Sequence, residues 1–393
     1  MSPDHEPLLR TGTSYDVIVV GARAAGAATA MLLARRGLRT LVLDQSELGS
    51  DTLSTHALMR GGVLQLSRWG LLDEIVAADT PAVRRTTFMY GEQRILITIK
   101  PAHGVDALYA PRRTLLDPTL VRAAIDAGAE VHHRTPVTAL VERNGRVAGV
   151  KAMTSDSRLV EINAPLVIGA DGIRSTIAHQ VDAPTTRTAQ HVGSLTYGYW
   201  SNLGTDGYEW MFNPQACAGV IPTNDGRAAV FAHGPAERIG RGGVELIEQI
   251  VTDGAPELGE RLRAATPPTG TRTWHGHHGF IRRSSGPGWA LVGDAGYFKD
   301  PITAHGLTDA LRDAELLARA VVDGFGREST LDDALRQYED TRDRLSIALF
   351  DVTDRITSHQ WDHVEIADLL LQLSSAMSDE IETLAALEPE PVT

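Results

Sequence analysis

Three stretches of this chain set glycine and acidic residues where an apolar, β-rich run gives way to helix-forming residues. The first is Gly21-Ala22-Arg23-Ala24-Ala25-Gly26, which follows the run YDVIVV and opens the run AAGAATAMLLARR. Gly21 suits a tight turn and Gly26 lets a helix pack closely on a strand, with Ala22 and Ala25 among the contact positions between them. The helix N-terminus offers free N–H groups and the positive end of its dipole to a pyrophosphate. Asp44 ends the next apolar run, 23 residues after Gly21, where a carboxylate bonds ribose hydroxyls. The middle glycine of the usual G-x-G-x-x-G pattern falls on Arg23. Its side chain either points away from the pyrophosphate or lies beside it and neutralises it. A shifted alignment puts that place at Ala22.

The second stretch, Gly169-Ala170-Asp171-Gly172-Ile173-Arg174-Ser175, again joins strand, turn and helix. Asp171 suits a cofactor's ribose or pyrophosphate; taken alone, the stretch is equally an Asp-Gly turn with Ser175 capping a helix. The third is Gly293-Asp294 after the run WALV, followed by Asp300-Pro301 and His305-Gly306-Leu307. Pro301 is a rigid element before a helix expected to begin at Gly306, whose N-terminal amides suit negative charge. A fourth stretch, Trp274-His275-Gly276-His277-His278, suggests metal ligation. In a strand His275 and His277 share a face and His278 points away, which is too few ligands, so we expect a strand and no metal.

The elements that must position these residues follow from their patterning. Tyr15–Val20, residues 24–36 and residues 38–44 form a βαβ start, which predicts a parallel sheet with right-handed crossovers. His56 to Ala78 reads as helical with a break at Gly70, residues 86–99 as a hairpin across Gly91, and residues 115–127 as a helix. Asn144-Gly145 between apolar runs marks another hairpin. Residues 191–233 hold several short strands, and residues 243–263 and 305 to the low 380s are helical. The fold class is α/β: a Rossmann-like domain with a mostly parallel sheet, interleaved with a second, mostly antiparallel sheet, plus C-terminal helices. The first domain takes residues 15–80, 111–185 and 281–325, the second takes 81–110 and 186–280, and helices fill 326–393.

The three motifs, in this order, resemble the FAD-binding signatures of the class A, para-hydroxybenzoate hydroxylase-like flavoprotein monooxygenases. That superfamily also includes geranylgeranyl reductases and flavin-dependent halogenases. The resemblance implies FAD held at Gly21, Ala22, Ala25, Gly26, Asp44, Asp171, Gly293, Asp294, Pro301, Gly306 and Leu307, with Asp294 on the ribityl chain. It adds Arg60 and Arg113, which stay charged and bond phosphate bidentately, and Val137, whose backbone meets the adenine. It implies NAD(P)H as a transient electron donor, since no second dinucleotide fingerprint is visible, although a separate flavin reductase would serve too. The expected reaction is hydroxylation or epoxidation of a small aromatic or polycyclic metabolite of secondary metabolism by O₂, through a flavin C4a-hydroperoxide. The alternative is a reductase of isoprenoid-type double bonds. A halogenase, lacking its Trp-x-Trp-x-Ile-Pro signature here, and a non-catalytic redox sensor rank below. Tyr197, Tyr199, Trp200, Trp210, Met211 and Phe212 are candidates for the substrate pocket, and His56 and His305 for a direct catalytic role.

Composition narrows the partners. The net charge of −13 argues against a nucleic-acid binder and against anionic membranes. Cys217 is the one cysteine, so no intrachain disulfide can form, which suits a reducing compartment. Residues 1–14 lack a basic start and an apolar core, and no apolar run reaches the ~18 residues of a membrane helix, so a cytoplasmic location is expected. The acidic helices from Leu331 onward suit solvent or a subunit contact such as a homodimer.

Overall fold

The computed structural model describes residues 9–326 and 330–388, so residues 1–8 and 389–393 lie outside the described residues. The chain is a mixed α/β fold built around two large sheets. In the first, Val17–Val20 pairs in parallel with Thr40–Leu43 on one side and with Leu166–Gly169 on the other. Glu130–His132 extends one edge in parallel, and Trp289–Leu291 with the antiparallel Ser285–Gly286 extends the other. These strands are short and apolar because both faces are covered. Val17 and Val19 pack against the helices Ala24–Arg35, Arg113–Asp126 and Gly306–Gly326, while Ile18 and Val20 pack against a three-stranded meander. The meander is Val137–Arg143, Arg146–Met153 and Leu159–Asn163, turning at Asn144-Gly145 as its dipeptide predicts.

The second large sheet has seven strands in the order Arg272–Trp274, Ser194–Ser201, Arg227–Gly234, Cys217–Thr223, Tyr208–Phe212, Arg85–Tyr90, Gln93–Thr98. Its pairs are antiparallel except Tyr208–Phe212 with Arg85–Tyr90, which are joined across a long excursion and run parallel. One face packs on the helices Val244–Gly254 and Pro256–Ala264. The other packs on Leu331–Thr357 and His363–Ala386, the last two helices of the chain. Among the described residues no helix is long and apolar enough to cross a membrane.

Two expectations need correction. Helical structure begins at Arg60, not at His56: the helices are Arg60–Arg68 and Leu72–Ala77, and His56 adopts a left-handed backbone (φ 65°) that a helix cannot include. Residues 275–279 form a loop rather than a strand, with the His278 Nδ1 atom 2.9 Å from the Ala189 carbonyl oxygen.

The opening βα turn shows why glycine is needed there. A Cβ on Gly26 would lie 1.9 Å from the Gly21 carbonyl oxygen, and one on Gly21 would lie 2.4 Å from that of Ala170. Both obstacles are backbone and cannot swing aside. Gly26→Val is therefore expected to lower the stability of the apoprotein by about 2 kcal/mol or more. Urea unfolding followed by circular dichroism would read this, and an unchanged midpoint would refute it.

Candidate functional site

Parallel pairing aligns Val20 with Leu43 and Gly169, and Gly169 with Leu291. The turns that follow these strands therefore leave one edge of the sheet side by side, where the strand order reverses direction, the usual place for a ligand in an open α/β sheet. They surround a cavity of about 560 Å³. Gly21, Arg23 and Ala25 of the first turn line it with Asp44, Asp171 and Asp294, and so do Arg113, Val137, Pro301, Gly306 and Leu307.

Each group has a defined local role. Arg23 is the N-cap of Ala24–Arg35 with an extended backbone (φ −86°, ψ −172°), so the position tolerates a side chain, and no side chain caps this helix end. Its first N–H groups thus remain to serve a ligand. Ala22 and Gly26 lie behind the turn: Ala22 is buried and donates its N–H to Asp44 Oδ2 at 2.6 Å. Asp44 Oδ1 accepts from the Ser46 N–H. Asp171 caps Thr176–Gln180, accepting from the Thr176 N–H at 2.7 Å and the Ser175 hydroxyl at 2.5 Å; burial raises its pKa. Arg113 begins its helix and holds Asp117 at 2.9 Å. Gly293 (φ 59°) packs against Ala25, which lets Asp294 emerge beyond it. Asp294 has no hydrogen-bond partner among the described residues, and burial pushes its pKa up to about 6 against the pull of Lys299 and Arg113. A half-buried carboxylate without a partner, lining the cavity beside an uncapped helix N-terminus, matches a ligand carrying both hydroxyl and phosphate groups.

The segment 301–307 separates this cavity from a second one of about 330 Å³. Pro301, Ala304, Gly306 and Leu307 face the first; Ile302, Thr303 and His305 face the second. The second is largely apolar, walled by Tyr208, Trp210 and Phe212 from one sheet face and by Leu373 and Met377 of the last helix. Of the expected pocket residues, Trp210 and Phe212 are here. Tyr197 lines the larger cavity instead, and Tyr199 stacks under Arg112 and meets His56 Nε2 at 2.5 Å. Trp200 and Met211 point to the opposite face of the sheet, as alternation along a strand requires. Arg60 lines the apolar pocket rather than the larger cavity, its guanidinium donating to the carbonyls of Lys100 and Val105. His56 is fully buried, and burial, then Arg112, hold its pKa down at about 3, so it stays neutral. Cys217 is a buried core residue whose thiol burial pushes up to about 12.

His305 stands in a cluster that the motifs did not reveal. Its Nε2 lies 2.7 Å from Glu380 Oε2 and 3.9 Å from Asp309 Oδ1, while its Nδ1 is buried without a partner. Arg312 bonds Asp309 at 3.1 Å, Glu380 at 3.0 Å and Asp313 at 2.7 Å, and Lys299 pairs with Asp309. The ligand-type atoms of His305, Asp309 and Glu380 lie within 4.8 Å of one another, as in a metal centre, but the cations Lys299 and Arg312 already serve these carboxylates. Burial lowers the pKa of His305 and Lys299, Lys299 to about 7, while His305, then Arg312 and Lys299, hold Glu380 down at about 2 against its burial. Asp309, Arg312 and Asp313 recur at i, i+3 and i+4, a charged stripe on a buried helix that the sequence does display. Glu380 lies on a distant helix and gave no such signal.

Comparison with known proteins agrees with this geometry. A family profile described as "FAD binding domain" matches residues 14–353. The chain is 25% identical over 349 residues to digeranylgeranylglycerophospholipid reductase of Methanocella arvoryzae, covering 83% of this chain and 82% of the relative. It is 26% identical over 318 residues to squalene epoxidase 3 of Arabidopsis thaliana, covering 79% and 60% respectively. The flavin-dependent brominase Bmp2 superposes with a TM-score of 0.78 at 16% identity, over 95% of this chain and 93% of that one.

Asp294 yields a paired prediction. Its folded pKa lies above its unfolded value, so its charge destabilises the empty protein above pH 6, and the effect disappears as pH falls below about 4. Asp294→Asn should therefore stabilise the apoprotein at pH 8 by about 1–3 kcal/mol and leave it unchanged at pH 4. The same change should weaken FAD binding by roughly 10-fold or more. Urea titration and flavin fluorescence would read the two effects.

Proposed function

The chain belongs to the FAD-binding-domain family, and from that premise we propose that it is a reductase that saturates carbon–carbon double bonds of an isoprenoid-type chain. It is an FAD-dependent oxidoreductase. The observation that carries the finer reading is the wall at 301–307: a cofactor-sized cavity on one side, an apolar pocket holding the buried His305–Glu380 pair on the other. An apolar pocket with one proton-bearing group suits an alkene, which has no polar handle to bind but must receive a proton. The similarity to a digeranylgeranylglycerophospholipid reductase supports this over hydroxylation of an aromatic metabolite.

Bound FAD, once reduced, supplies the hydride for one alkene carbon. Arg23 and the open helix N-terminus would hold its pyrophosphate, Asp44 and Asp171 its adenosine end, and Asp294 its ribityl chain. Tyr208, Trp210 and Phe212 would lay the substrate chain against the wall and keep water out. His305 would give the proton to the second carbon, with Glu380 fixing its ring. Electrons come from NAD(P)H or from a separate flavin reductase. A second reading, epoxidation of the same kind of chain, is favoured by the similarity to squalene epoxidase.

Anaerobically reduced enzyme mixed with geranylgeraniol in micelles should re-oxidise and yield a product heavier by two hydrogens per bond. A product heavier by one oxygen, formed only in air, would transfer the assignment to the epoxidase; neither product would sink both. His305→Gln should slow single-turnover re-oxidation by on the order of 10²-fold with flavin binding retained.

A further inference from the structure

The buried ion cluster touches both cavities. Lys299 and Asp309 line the larger one, and His305 and Glu380 line the apolar pocket. Three carboxylates, Asp309, Asp313 and Glu380, face one permanent cation, Arg312, and two titratable nitrogen bases, Lys299 and His305. None of these side chains is more than 5% exposed. A proton gained or lost here therefore cannot be screened by water and must be answered by a nearby charge.

We propose that Lys299 is a redox-linked proton carrier: its amine takes up a proton when negative charge enters the cofactor cavity and passes that proton towards His305 when the charge leaves. This rests on a flavin occupying the larger cavity, and it supplies the proton that the proposed reduction consumes. The groups facing Lys299 are Asp309, Arg312 and Asp313 from the helix Gly306–Gly326, Glu380 from His363–Ala386, Asp294 and His305, with the Tyr297 ring at 5.0 Å.

Burial and Arg312 oppose the ammonium form, which sets Lys299 near the pH of the cell rather than far above it. A neutral oxidised ring in the cavity does nothing to change that. An anionic reduced ring pulls in the opposite direction and holds the proton. The exchange balances. On reduction the cofactor gains two electrons and one proton, and the Lys299 amine gains a second proton from solvent. On turnover the alkene gains a hydride and the proton of His305. Lys299 then returns its proton through the Asp309 carboxylate, which contacts Lys299 on one side and lies 3.9 Å from His305 Nε2 on the other. Lys299 acts through these partners and is a positioning residue for the proton, not a group that touches substrate.

The test needs no substrate. The flavin midpoint potential of the holoenzyme is measured against pH between 6 and 9 by spectroelectrochemistry. Above pH about 7 the wild-type slope should be twice that of Lys299→Arg, because arginine keeps the charge but does not titrate. Equal slopes would overturn the proposal. If the variant fails to hold FAD, the Lys299 side-chain ¹⁵N resonance of wild-type holoenzyme decides: it should titrate at least one pH unit higher in the reduced state. The same titration in both states overturns the proposal. Failure to saturate an alkene, by contrast, would sink only the proposed function.

Discussion

The site depends on one constraint, the register of the parallel sheet. Backbone hydrogen bonds from the Gly21 N–H to the Leu43 carbonyl, from Ala170 to Val20 and from Val292 to Gly169 continue the ladder one residue past the strands. They bring turns that are about 150 and 120 residues apart in sequence (21 to 170, 170 to 293) to one edge. Slipping a strand by one residue would exchange Ile18 and Val19 between the two covered faces and take its turn out of line with the other two. The larger cavity is thus a consequence of packing both faces of four-residue strands, not of any contact made in the cavity itself.

A second constraint is electrostatic. Burying Lys299, Asp309, Arg312, Asp313 and Glu380 together costs desolvation of several kcal/mol per ion, which mutual pairing only partly offsets. Apolar side chains of similar volume would hold the helices Gly306–Gly326 and His363–Ala386 together at least as well. The cluster's position across the 301–307 wall gives that cost a functional sense. It connects the charge state of one cavity with the protonation of the other over a few ångströms of low-dielectric protein, where such coupling is strongest.

The last two helices link the halves of the chain. Tyr338 of Leu331–Thr357 donates to the Leu291 carbonyl in the first sheet, while Leu349 and Ile356 of the same helix pack on the second. His363–Ala386 then supplies both the apolar roof of the smaller pocket and the Glu380 carboxylate. The smaller pocket and the buried ion cluster therefore rest on a segment that has no cofactor signature.

The glycine and acidic turns that line the larger cavity were legible in the sequence because turn chemistry is local. Gly26 and Asp171 answer to neighbours within a few positions, and buried strands show as unbroken apolar runs. The faces of Trp200 and Trp210 were not legible, because period-two alternation says that they oppose their neighbours but not which side holds a pocket. Nor was the place of Arg60, whose charge is used by carbonyls at 100 and 105 that no spacing rule connects to it. The sequence by itself determined the fold class and the cofactor. Only the tertiary structure decided which cavity each side chain faces and that Lys299, His305 and Glu380 form one charged unit, because those are contacts between elements distant in the chain, formed by packing rather than by local propensity.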